Sequence, residues 1–108
     1  MTRFSFETVV RGASAVVQLR GELDLLATSA LEPELTRLAE EPGVDIVALD
    51  LRSLDFLDSS GLRSVMAAER MLESNERRLV LVRGPSLVQR VFELTRMTER
   101  LEFVDSLS

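Results

Sequence analysis

Histidine and cysteine are absent from this chain of 108 residues, and so are tyrosine, tryptophan and lysine. Without His or Cys there is no Ser-His-Asp triad, no thiolate nucleophile, no zinc site of the usual kind and no disulfide. All thirteen basic side chains are arginines, so Schiff-base chemistry and lysine general bases are excluded too. What remains for chemistry is carboxylates, hydroxyls, arginines and backbone, and no catalytic residue or cofactor is expected. Long apolar runs are also missing. Ile46 to Leu49 and Leu79 to Val82 fall far below the roughly 20 residues that span a bilayer. Met1 to Phe6 alternates polar and apolar residues, unlike a leader, so no membrane contact is expected. The lack of cysteine fits a reduced cytoplasmic setting.

Apolar residues make up 45% of the chain and charged residues 29%, the ordinary composition of a globular protein, and the length suits one domain over residues 1–108. The net charge of −5 argues against nucleic acid as a direct partner. Residues 1–54 hold five Arg against nine carboxylates and residues 55–108 eight against nine, which reads as a solvated surface in both halves.

Phe4, Phe6 and Val9 suggest a first strand and Ala15 to Leu19 a second, with Gly12 at the turn between them. Gly21-Glu22-Leu23-Asp24 then leaves the second strand. Leu31, Leu35 and Leu38 share one helical face; Ser29 with Glu32 forms a capping box, or Thr28 caps instead, and Pro33 predicts a delayed or irregular start. Glu40 to Gly43 ends that helix. Val44 to Leu51 reads as a buried strand and Ser53 to Leu57 as a loop. Asp58 is the expected N-cap of a second helix that turns Leu62, Val65, Met66 and Leu72 inward. Leu79 to Val82 forms the next strand, and Gly84-Pro85-Ser86 leads into a third helix with Leu87, Val88, Val91 and Phe92 at i, i+1, i+4 and i+5. Leu101 to Val104 closes as a short strand. The expected fold is α/β in the order β-β-α-β-α-β-α-β. A mixed sheet of four to five strands, an N-terminal hairpin plus parallel strands, carries helices mainly on one face.

The most unusual segment runs from Asp55 to Leu62, where Ser59 and Ser60 sit at the mouth of a helix. A helix N-terminus offers unpaired N–H groups and partial positive charge, so a phosphate on either serine is locally tolerated. It adds about −1.5 to −2 charge beside Asp58 and Asp24, which a docked partner feels more than the fold does. An ordinary capped helix has the same local appearance. Gly61 is the exception: glycine in a first turn costs up to ~1 kcal/mol against Ala, so another backbone is expected to approach it closely. Glu22, Asp24 and Asp58 read as solvated or capping carboxylates in preference to a Mg²⁺ or Ca²⁺ site, and no metal is expected.

The run from Val47 to Leu62, containing ALDLRSLDFLDSSGL, resembles the signature of the STAS-domain anti-sigma factor antagonists of bacteria. Gly21-Glu22-Leu23-Asp24 with Thr28 resembles that family's other hallmark, and Gly84-Pro85-Ser86 followed by Arg90 to Thr95 its tail. The resemblance implies that Ser59 is the phospho-acceptor, Asp58 its acidic neighbour and Ser60 a supporting hydroxyl. Asp24 and Thr28, in the loop before the first helix, then share a docking surface with Asp58 to Leu62. The implied partners are an anti-sigma factor that is also a serine kinase, bound by the unphosphorylated form to release a sigma factor, and a metal-dependent serine phosphatase. A homodimer is compatible with the resemblance. Arg96 stands where the family usually places Gly, so a less regular helix end is expected, and the family's C-terminal helix is expected to be short or absent. Two other readings compete: a docking subunit of a transport or stress-signalling assembly without a phospho-switch, and a small hydrolase built on Asp24 and Asp58. No Walker-type phosphate loop supports the hydrolase.

Overall fold

The computed structural model describes residues 3–107. Its elements are β1 (Ser5–Arg11), β2 (Ser14–Leu23), α1 (Leu25–Glu40), β3 (Ile46–Leu57), α2 (Ser59–Ser74), β4 (Arg78–Val82), α3 (Ser86–Leu94), a 3-10 turn (Met97–Glu99) and β5 (Phe103–Val104). The element order is the expected one. Five strands form one mixed sheet in chain order, with β1 antiparallel to β2 and the remaining neighbours parallel. Each crossover steps to the next strand in the same direction, so right-handed connections place the three helices on one face. Strand positions alternate accordingly. Ala15, Val17, Val47, Leu49, Leu79 and Leu81 join the helix residues Leu31, Leu35, Leu38, Val65, Leu72, Val88 and Phe92 in one core. Asp50 lies on the opposite face, where both its oxygens meet the Arg52 guanidinium.

Several boundaries differ from the sequence reading. β2 does not stop at Leu19 but continues through Gly21 to Leu23, and α1 begins at Leu25 under Asp24. Ser29 and Thr28 are therefore inside the helix and cap nothing; the Ser29 hydroxyl bonds back to the Leu25 carbonyl. Pro33 sits two turns in, on the exposed side, where it removes one helical bond without meeting the core. Residues 53–57 are strand and not loop. Register shifts between Gln18 and Arg20 and between Gly21 and Glu22 let β3 stay paired with β2 as far as Leu57. Of the four spaced apolar residues of α3, Val88 and Phe92 are buried, while Leu87 is 73% exposed. The last strand shrinks to Phe103 and Val104, although Leu101 is buried. Arg96 adopts the left-handed conformation, φ 59°, that the family's glycine would adopt freely.

The end of α1 is closed from a distance. Arg77, just before β4, donates from Nη1 to the carbonyls of Leu38 at 2.7 Å and Glu41 at 2.6 Å, placing a cation at the negative end of the helix.

Candidate functional site

Leu23 of β2 lies opposite Leu57 of β3, and in each strand the next residue is an aspartate. Asp24 and Asp58 both hold extended backbone, with φ −110° and −101°. Each accepts through Oδ1 the N–H three residues on: Ala27 for Asp24 and Gly61 for Asp58, both at 2.9 Å. Two helices thus open side by side at one edge of the sheet under identical caps. The local sequences match, Leu-Asp, two further residues and then a small buried residue, Ala27 or Gly61. They differ at the two positions between. In α1 these are Leu25 and Leu26, 67% and 82% exposed. In α2 they are Ser59, exposed, and Ser60, half-buried.

Gly61 is small for a reason on the opposite strand. A Cβ there would overlap the Leu23 carbonyl oxygen and come within 3.0 Å of Leu23 Cγ. The same carbonyl receives the Asp58 N–H at 3.4 Å. The close approach expected from the sequence is therefore made by the sheet itself. It seats the start of α2 on the end of β2 and leaves Ser59 facing outward.

The remaining expected site residues are distributed unevenly. Leu62 is half-buried and packs against the core. Thr28 lies in the second turn of α1 and not in a loop; it is buried, and its Oγ1 has no hydrogen-bond partner among the described residues. Asp24 and Asp58 are half-buried, and neither takes part in an ion pair among the described residues. No group of three His, Cys, Asp or Glu side chains able to hold a metal ion occurs among those residues. An open groove of about 570 Å³ runs from Asp24 and Leu26 past Glu22 to Arg3 and Phe4. Sequence reasoning missed Leu25, Leu26 and the 48% exposed Phe56, apolar residues held in solvent near the caps. The repeated Leu-Asp pattern was the signal that would have placed the first two.

The sequence model of one family, described as "Mlab, STAS domain", matches residues 6–105. This chain belongs to the STAS-domain family. The domain is 29% identical over 92 residues to an anti-sigma F factor antagonist of Lysinibacillus sphaericus, a match covering 85% of this chain and 78% of the relative. Its fold is that of an anti-sigma factor antagonist from Mycobacterium paratuberculosis, with TM-score 0.87 at 22% identity, covering 97% of this chain and 88% of the other. It is also similar to SpoIIAA of Bacillus in its unphosphorylated form, with TM-score 0.77 at 25% identity, covering 94% and 88% of the two chains. No helix of the described STAS domain is long and apolar enough to cross a membrane.

Proposed function

We propose that this STAS domain is a cytoplasmic anti-sigma factor antagonist switched by phosphorylation of Ser59. Its unphosphorylated form binds an anti-sigma factor that is also a serine kinase, and so frees a sigma factor. The observation that carries the reading is the division of labour at the start of α2. Asp58 and Gly61 are committed to the cap and to the sheet contact, while Ser59 between them is exposed. A kinase can reach that hydroxyl without unfolding the helix. The names of the relatives support the same reading.

A phosphate on Ser59 lies at the positive end of α2, so the fold tolerates it. A partner seated over Asp24, Asp58 and Ser60 does not. Burying an uncompensated ion costs several kcal/mol, and each ~1.4 kcal/mol is tenfold in affinity, so a loss of roughly a thousandfold is expected. The domain itself performs no catalysis: phosphate arrives from the partner kinase and leaves through a metal-dependent serine phosphatase. The test is incubation with the anti-sigma factor kinase and ATP. One phosphate is expected, absent in Ser59→Ala, and Ser59→Asp is expected to release the partner with an unchanged melting temperature. Undiminished binding of Ser59→Asp, or recovery of a transporter ATPase in place of an anti-sigma factor from the native host, overturns it.

A further inference from the structure

Among the described residues β1 is an edge strand with no element beyond it in the sheet. Edges of this kind are normally guarded by charged side chains, proline or a bulge. β1 has no proline or bulge, its register with β2 runs unbroken from Ser5 to Arg11, and its two charges, Glu7 and Arg11, are of opposite sign. The bonding parity of the hairpin decides which backbone groups are free. The Ala13 carbonyl accepts the N–H groups of Asp45 at 2.7 Å and Ile46 at 3.2 Å, so odd-numbered residues at the start of β2 bond toward β3. The even ones, Ser14, Val16 and Gln18, bond to Arg11, Val9 and Glu7. The N–H and C=O groups of Phe6, Thr8 and Val10 therefore point away from the sheet. Val10 is also 57% exposed.

Glu7 and Arg11 lie four residues apart on the same face of this strand, and neither has an ion-pair partner among the described residues. We propose that β1 is a self-association edge on which a second copy of this chain pairs, antiparallel, about Val9. In that register Val9 faces its own counterpart, and the outward groups of Thr8 bond with those of Val10 of the second copy, while Phe6 falls opposite Gly12 at the turn. Glu7 faces Arg11 and Arg11 faces Glu7. Opposite charges directly across an antiparallel pair stabilise it, and like charges destabilise it. Centring on Thr8 bonds the outward groups of Phe6 as well, but it sets Glu7 against Val9 and loses both charge pairs; the proposed register is the one that the paired charges favour. The two-fold axis stands perpendicular to the sheet. Five strands from each copy then join in one continuous sheet, and the two Ser59 sites lie at opposite ends of it. A single strand pairing covers little area, so the dimer is loose.

Sedimentation equilibrium from about 10 µM to about 1 mM tests this, a range that brackets weak affinities. A monomer–dimer equilibrium is expected for the wild type and equally for Ser59→Asp, since the edge is independent of the phospho-switch. Glu7→Arg alone and Arg11→Glu alone are expected to be monomeric, because each sets like charges opposite. An equimolar mixture of the two variants restores both attractive pairs and is expected to associate as tightly as the wild type. Val10→Pro removes an outward N–H without touching the hairpin bonds. It is expected to weaken the dimer at least about tenfold with unchanged circular dichroism. A wild type that stays monomeric throughout, a dimer indifferent to both charge reversals, or a mixture that stays monomeric overturns the proposal.

Discussion

The carbonyl oxygen of Leu23 lies so close to the Cα of Gly61 that no side chain fits between them. This contact joins the end of β2 to the first turn of α2 and sets the height at which Ser59 leaves the sheet. Gly61→Ala is expected to destabilise the domain by about 1–3 kcal/mol, the usual range for overpacking against an unyielding neighbour. Urea denaturation measures it. An Ala variant as stable as the wild type would show that the helix start shifts freely.

The twin caps separate structure from charge. Asp24→Ala and Asp58→Ala are each expected to cost about 1 kcal/mol through loss of the bond to Ala27 or Gly61. Asn caps about as well as Asp, so Asp58→Asn is expected to melt like the wild type. Any loss of partner binding by Asp58→Asn then reports the carboxylate charge alone. If Asp58→Asn is as unstable as Asp58→Ala, the cap depends on more than the bond to Gly61.

Arg77→Ala removes the donor shared by the Leu38 and Glu41 carbonyls. A loss of about 2 kcal/mol is expected, because two partly buried acceptors lose a charged partner. Arg77→Lys is expected to recover part of it. Thermal unfolding of the three proteins decides, and equal stability of all three would contradict the assignment.

Arg96 occupies a left-handed position that costs an L-residue about 1 kcal/mol and glycine almost nothing. Arg96→Gly is therefore expected to raise stability by up to about 1 kcal/mol, partly offset by glycine's greater freedom when unfolded. A lower melting temperature would mean that the arginine side chain makes a compensating contact.

Acid sensitivity follows from two carboxylates. The Arg52 guanidinium, opposed by burial and aided by the Arg52 N–H, holds Asp50 below its ordinary value of 3.8. Arg37 does the same for Glu34 below 4.5, again against burial, with help from the Thr8 hydroxyl. A folded-state pKa that is lowered contributes stability present above the unfolded value and lost as pH falls through the folded one. The contribution is thus complete at neutral pH and declines below about pH 4.5. Urea midpoints followed from about pH 7 to about pH 2.5 are expected to fall in that window, and less steeply in an Asp50→Asn, Glu34→Gln double variant. An identical acid limb in both proteins would remove these carboxylates from the account.

Much of this domain was legible because its signals are local. The Leu31, Leu35 and Leu38 stripe, the Asp58 cap and the glycine at the Gly12 turn each depend on residues within a turn or two of themselves. The start of α1 was misread for the same reason. Ser29, Glu32 and Pro33 imitate a helix start, whereas the actual start depends on where β2 stops pairing with β3. Leu25 and Leu26 were overlooked because apolar residues are not expected at an exposed helix mouth, although the Leu-Asp pair before them repeats the one before α2.

By itself the sequence determined the order of elements, the alternation that commits one face of the sheet to the helices, and the exclusion of most catalytic chemistries. Those properties follow from side-chain type and short-range periodicity. Only the tertiary structure decided that β3 runs on to Leu57, that Asp24 caps α1, that the Leu23 carbonyl requires a glycine at position 61 and that Ser59 faces outward. Each of these depends on two segments distant in sequence meeting in a particular register, and register is a property of the assembled sheet that no local pattern encodes.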